Sequence, residues 1–258
     1  AIKYRDIESA HEEAQRASWE DSMLHVQNMV LDNCLSTIKH ETIYYPNKIK
    51  QIVGRLNTQN LSEEEERENV EAISELIEYY KGIFTILSSC AARQLEEVTF
   101  RRSTISVADL CEYAVKYFRK ASKGKTSRIE FLTEPIEKRI IGDINQLRFL
   151  LENLIDEALT VHEDGILKLH AAEDGNYIRF LFTDTRREKS VDELNKLFYP
   201  NLARMTSGEK GELRGTEYLI CKQIIRDHDE FAGRRGCRIN AEPAQEGGFT
   251  VYFTLPKR

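Results

Sequence analysis

The sequence predicts an α + α/β sandwich organisation: an N-terminal antiparallel helical hairpin, then an α+β domain with one sheet covered by helices. Three observations predict it. From Leu24 an apolar seam runs through Leu31, Leu35, Ile38, Thr42, Tyr45, Ile49, Ile52 and Leu56, stepping by threes and fours after the first interval. That period, near 3.5 residues, keeps one stripe of a helix against a partner. A second stripe of Val70, Ile73, Ile77, Tyr80, Phe84, Leu87 and Ala91 repeats the spacing after a polar break at residues 57–60. Beyond Leu95 the texture changes to short alternating runs separated by helical ones, without strict βαβ alternation, which reads as one helix-covered sheet.

Residues 2–56 read as one or two helices on a nearly continuous axis. Pro46 lies inside the pattern, where it removes a backbone hydrogen bond and is expected to kink the helix. Ser62 with Glu65 forms a capping box for the second helix, and the acidic run at residues 63–66 is its solvated first turn. Two such helices leave apolar surface uncovered, so pairing of two copies into a four-helix bundle is expected. The alternative, a hairpin covered by its own C-terminal domain, stays open.

The boundary falls near residues 96–100, giving a helical part over residues 1–97 and an α+β part over residues 98–258. In the second part, strands are expected at residues 98–100, 128–132, 166–171, 177–183, 237–241 and 249–255, and residues 139–143 lead into a helix. Helices are expected at residues 107–121, 144–161, 191–198 and 218–228, and residues 206–215 read as a glycine- and charge-rich loop.

Composition narrows the function. Net charge is −6 and pI about 5.7, against a nucleic-acid-binding surface. No apolar run approaches the roughly 20 residues that span a bilayer, and the charged first thirty residues do not form a signal peptide. The five cysteines, Cys34, Cys90, Cys111, Cys221 and Cys237, show neither disulfide nor zinc spacing and read as reduced packing residues of a cytoplasmic chain. The remaining histidines, among them His11, His25, His162, His170 and His228, have no ligand spacing and read as structural. The chain begins inside a helical pattern, so a sensor or membrane segment upstream of Ala1 is compatible with it.

One residue pair carries chemistry. His40 lies between Ile38 and Thr42, about 200° of helical rotation from each at roughly 100° per residue, so it is expected to point away from the seam. A solvent-facing imidazole beside a carboxylate, here Glu41, serves as a nucleophile whose proton the carboxylate helps remove. An ordinary surface histidine fits the same residues.

The order of segments from Leu24 onward resembles the transmitter of two-component sensor histidine kinases. Ile38-Lys39-His40-Glu41 followed by Pro46 resembles the family's H box, His-Glu-Leu-Arg-Thr-Pro, with one extra residue before the proline. The second part resembles the GHKL, or Bergerat-like, ATP-binding domain. Gly142-Asp143 leads to an N box at residues 150–158; Phe182-Thr183-Asp184-Thr185 resembles the start of the Asp-x-Gly-x-Gly box; and Leu197-Phe198-Tyr199-Pro200 the F box. Gly215 with residues 218–225 resembles the second glycine box and its helix, and residues 247–256 the terminal strand. The resemblance implies His40 as phosphoacceptor with Glu41 as its base. It implies Asn153, Glu157, Asp184 and Gly215 as nucleotide-binding positions, with Glu157 at the Mg²⁺ position and Asp184 reading the adenine amine.

The departures point to erosion. Glu157 stands where the family has its second asparagine, putting negative charge beside a triphosphate. Arg186 and Glu188 replace two glycines that let backbone approach the base, and Leu213 and Glu217 flank Gly215 where glycines are expected. Lys210, Arg214 and Lys222 remain as cations for phosphates. ATP and Mg²⁺ binding are therefore expected to be weak or lost. Tyr44 stands four residues after His40, where the family often has threonine or asparagine, which does not favour phosphatase activity. The leading reading is a homodimeric phosphorelay protein whose His40 exchanges a phosphoryl group with a response-regulator receiver aspartate. Two others stay open: an active ATP-dependent sensor kinase with an atypical pocket, and a catalytically inert pseudokinase scaffold.

Overall fold

The computed structural model describes residues 2–91, 100–200, 206–207 and 213–258, with side chains apart from those of residues 2–7, 9, 35–42, 78–91, 206–207 and 213–214. In chain order the elements are α1 (Ile2–Thr58), α2 (Glu63–Ala91), β1 (Ser103–Ser106), α3 (Val107–Ala121), β2 (Ile129–Glu134), β3 (Arg139–Gly142) and α4 (Ile144–Ala158). There follow β4 (Gly165–Asp174), β5 (Tyr177–Asp184), α5 (Val191–Lys196), β6 (Thr206–Ser207), β7 (Leu213–Arg214), α6 (Glu217–Phe231), β8 (Ile239–Pro243) and β9 (Phe249–Pro256). The helical N-terminal part followed by a mixed α/β domain is the predicted fold class. No described helix is long and apolar enough to cross a membrane.

The chain divides into two units. One joins residues 1–27, 96–199 and 217–258; the other joins residues 28–95 and 200–216. In the first, five strands form a sheet in the order β2-β4-β5-β9-β8, with β2 parallel to β4 and the other pairs antiparallel. Strict alternation buries one face: Leu167, Leu169 and Ala171 on β4 and Ile178, Phe180 and Phe182 on β5 point inward. Phe180 stacks on Phe253 across the β5–β9 pair at 5.0 Å. Helices α3, α4 and α6 bring Leu110, Ala114, Leu147, Leu150, Leu154, Ile224 and Ile225 to the core. Each of these leucines and isoleucines contributes roughly 1.5–3 kcal/mol on leaving water.

The N-terminal stretch of α1 belongs to this first unit. Trp19 meets Phe149 of α4 edge-on at 6.2 Å, Asn145 Nδ2 donates to Ser18 Oγ at 3.1 Å, and His25 Nε2 lies 3.8 Å from Asp227 Oδ2 of α6. Within residues 1–27 the buried α1 positions are Ser18, Ser22 and Val26, stepping by four; Asn28, Val30, Leu31 and Cys34, buried further along the helix, belong to the second unit. Leu24, expected at the head of the seam, is half exposed instead, because it lies about 200° of helical rotation from the buried Ser22 and Val26.

In the second unit, α1 continues through Pro46 as one helical span, and the Ser62–Glu65 capping box opens α2: Ser62 N and Oγ both donate to Glu65 Oε2, and Glu65 N donates to Ser62 Oγ. Further along the predicted seam, Ile52 is buried, Tyr45, Ile49 and Leu56 are half-buried, and the side chains of Leu35, Ile38 and Thr42 lie outside the described residues.

The first strand described after the helices is β1. Residue 100 is irregular and residues 98–99 lie outside the described residues. Ser-Thr-Ile-Ser carries one buried apolar side chain, Ile105, and pairs with β3, so no alternation marks it in the sequence.

Candidate functional site

Asp143 caps α4, the helix that carries Asn153 and Glu157. Its Oδ1 accepts from Asn145 N and Gln146 N and its Oδ2 from Arg101 N, filling orphan donors at the start of α4. Beneath it His228, with no exposed surface, accepts from Asp143 N at 3.1 Å through Nε2 and donates from Nδ1 to Ile224 O at 2.7 Å. Burial brings this imidazole down to about 4.

Asn153 and Glu157 lie one turn apart on the buried face of α4. The Asn153 amide is turned into its own helix, donating to Phe149 O at 2.8 Å. Glu157 Oε1 pairs with Arg187 Nη1 at 3.4 Å. Tyr218, at the start of α6, is buried nearby, and burial together with the Glu157 charge pushes its phenol up.

Asp184 ends β5, 1% exposed, beside Phe249 of β9. Its carboxylate is enclosed by the two residues that follow Thr185. Arg186 donates to Oδ1 from its backbone N at 3.0 Å and its Nε at 2.8 Å, and to Oδ2 from Nη2 at 2.9 Å. Arg187 Nε adds a bond to Oδ2 at 3.2 Å. Four N–H donors thus meet a group with about four lone-pair sites. Arg186 has no exposed side-chain surface, and its remaining N–H groups reach Ala158 O, Val161 O and Glu163 O at 2.6–3.4 Å. Those carbonyls include the last of α4, so the guanidinium also closes that helix. Gly165, at φ +153°, leaves the room that the Arg186 stem fills, since a Cβ there would strike Arg186 Cγ. Gly248, at φ +76°, lets the approach to β9 pass against the Asp184 carbonyl. The Arg187 guanidinium and the Lys189 ammonium each lie 5.5 Å from the Phe249 ring centre.

Asn153 and Glu157 on α4 and Asp184 on β5 are buried in the first unit, and Arg187 bridges Glu157 and Asp184. The sequence marked Arg186 as a long side chain in a glycine position, but not that it would bond to the very aspartate it follows. Arg187 was not singled out at all; its spacing of three from Asp184 was the available signal. Gly215, at φ +78°, belongs to the other unit, and Glu217 opens α6. Lys222 donates to Phe198 O at 3.1 Å and lies 4.5 Å from the Tyr199 ring centre. Lys210 and the side chain of Arg214 lie outside the described residues. His40 and Glu41 fall within the α1 span, and their side chains also lie outside the described residues. Among the described residues no group of three or more histidine, cysteine, aspartate or glutamate side chains is arranged to hold a metal ion.

Residues 142–258 match the family model of the histidine kinase-, DNA gyrase B- and HSP90-like ATPases. The signal transduction histidine-protein kinase BaeS of Escherichia coli K12 is 25% identical over 163 residues, 62% of this chain and 33% of BaeS. The sensor histidine kinase RcsC of the same strain is 25% identical over 127 residues, 48% of this chain and 13% of RcsC. The chain therefore spans a third or less of either relative. Among solved structures, the histidine kinase ThkA in complex with the response regulator protein TrrA has a TM-score of 0.50 at 17% identity, covering 93% of this chain and 65% of that one, a likeness of fold.

Proposed function

We propose that the chain, whose residues 142–258 match the model of the histidine kinase-, DNA gyrase B- and HSP90-like ATPases, is a phosphorelay protein with the layout of a two-component sensor histidine kinase transmitter and a nucleotide site filled by its own side chains. In this reading residues 1–97 form the dimerisation and phosphotransfer part and residues 98–258 the ATPase-type part, both cytoplasmic. The observation that carries it is the buried Arg186–Asp184 pair. An adenine amine needs an acceptor at Asp184, and every acceptor site there already has a donor. Glu157, the position for Mg²⁺, is engaged by Arg187, and the Asn153 amide by Phe149 O. As they stand these residues do not fit ATP and Mg²⁺, because a nucleotide must first break a buried, multiply bonded ion pair.

His40 is then supplied with a phosphoryl group by a response-regulator aspartate rather than by ATP. The imidazole lone pair forms an N–P bond, the acyl-phosphate P–O bond breaks with its electrons leaving on the receiver carboxylate, and the ring's other N–H proton passes toward Glu41.

Calorimetry and phosphotransfer test the two halves of this reading. Wild type should give no saturable heat with Mg²⁺–ATP, and a phosphorylated cognate receiver should label wild type but not His40→Gln. Micromolar, Mg²⁺-dependent ATP affinity would favour the active kinase. Absence of labelling from any cognate receiver, together with no ATP binding, would leave the scaffold.

A further inference from the structure

A cleft of about 800 Å³ lies within the first unit, away from Asp184. One wall is α1 over residues 11–19, fixed to α4 by the Trp19–Phe149 and Ser18–Asn145 contacts; the other is Arg101, Tyr113 and the first turns of α4. Three arginines line it, one from α1, one from the segment before β1 and one from α4: Arg16, Arg101 and Arg148. Arg16 is matched by Glu20 at 3.0 Å. The other two have no carboxylate within ion-pair distance among the described residues. Arg148 lies over the Tyr113 ring at 4.8 Å, and its buried Nε has no hydrogen-bond partner.

Carboxylates stand nearby, and Glu152 is in electrostatic reach of Arg148, but none forms a direct ion pair with Arg101 or Arg148 among the described residues. The Asp143 carboxylate is taken by three backbone N–H groups, and Glu152, one turn beyond Arg148, accepts the Tyr113 hydroxyl. Glu12 and Asp143 are the acidic residues of the wall itself. A guanidinium with a buried, unpaired N–H in a chain of net charge −6 carries a desolvation cost that an anion would offset.

We infer that this cleft binds a small organic phosphate, held by Arg101 and Arg148 and flanked by Trp19 and Tyr113. Guanidinium forks match phosphate oxygens in pairs. The volume lies within the roughly 300–1,000 Å³ of small-molecule sites and exceeds what a bare ion fills, so the phosphate brings an organic body that meets the aromatic side chains. Such a ligand touches both walls, so its binding ties the start of α1 to the ATPase-type domain. The inference is independent of whether Asp184 admits a nucleotide.

Trp19 is the single tryptophan of the chain, so its fluorescence reports on this cleft directly. The full chain is titrated with AMP and, separately, with inorganic phosphate, each against sodium chloride of equal ionic strength. A saturable Trp19 change with AMP is expected. The same change with phosphate alone, at higher concentration, identifies the phosphate group as the shared determinant; response to AMP only assigns the larger share to the organic body. Arg148→Gln and Arg101→Gln should each weaken binding at least about tenfold. Arg101 is exposed, so its variant serves even if Arg148→Gln fails to fold by circular dichroism. No saturable change with either probe, a change reproduced by sodium chloride, or unaltered affinity in a folded variant would overturn the inference.

Discussion

Arg186 has no contact with water, so replacing it with alanine strands the Asp184 carboxylate and frees the carbonyls that close α4. Losing one partner of a buried pair costs about 3–5 kcal/mol. Arg186→Ala should therefore lower the urea midpoint far more than Arg187→Ala, whose side chain retains some exposure and makes fewer bonds; equal losses would mean that the pair is not what holds this corner. His228 makes a second prediction. Its imidazole falls to about 4 in the fold from an ordinary 6.5, so stability is complete above pH 6.5 and is lost as pH drops toward 4, because the unfolded chain takes up the proton first. The loss approaches roughly 3 kcal/mol. Asp227, raised mainly by burial, opposes it by taking a proton in the folded state as pH falls. Denaturation from pH 4 to 6.5 should show a shallower fall in stability for His228→Gln than for wild type, and parallel curves would remove His228 from the acid response. Of these residues the sequence disclosed Asp184 and the intrusion of Arg186. It did not disclose where the guanidinium goes, since its carbonyl partners lie 23–28 positions earlier and arrive only when α4 and β5 fold together.

The helices of the α+β part were the most legible elements. Ser106 caps α3, Asp143 caps α4, and Ser190 with Glu193 forms a capping box on α5, each a local signal followed by apolar periodicity. How α3 meets α4 was not legible. Tyr113 donates to Glu152 and Tyr117 to Asp156, both pairs spaced by four on facing helices, so two hydrogen bonds fix the register of the packing. Burial raises both carboxylates from their ordinary values, yet each hydroxyl bond favours the ionised form and limits that rise. Tyr117→Phe deletes one hydroxyl and leaves the ring, and should cost about 1 kcal/mol by thermal melting. Tyr113→Phe should cost at least as much, since Arg148 rests on the same ring. A double variant with a loss well below the sum would indicate that the pair acts as one clamp. Short polar elements such as β1 stayed invisible because their strand identity comes from pairing with β3 rather than from their own composition.

At the scale of the whole molecule the open question is what covers the helical unit. Ile43 is 63% exposed, Val70 53% and Ile77 44%, apolar side chains left facing water on two helices. The periodicity of the sequence disclosed that such a face exists, but not which seam positions a single chain buries for itself: Ile52 is inside, while Val70 and Ile77 are not. A second copy placing the same stripes together would remove these residues from water, each contributing on the order of 1.5–3 kcal/mol when fully covered. The expected state in sedimentation is therefore a homodimer at micromolar concentration. Ile77→Glu sets a carboxylate on that face, where it is harmless to a monomer because the position is already solvent-exposed, but costly once desolvated. It should shift the protein to monomer while leaving the sheet domain intact, which the near-ultraviolet signal of the stacked Phe180–Phe253 core and of Trp19 would report. A wild type that sediments as a monomer, or an Ile77→Glu variant that stays dimeric, would require a different partner for this surface.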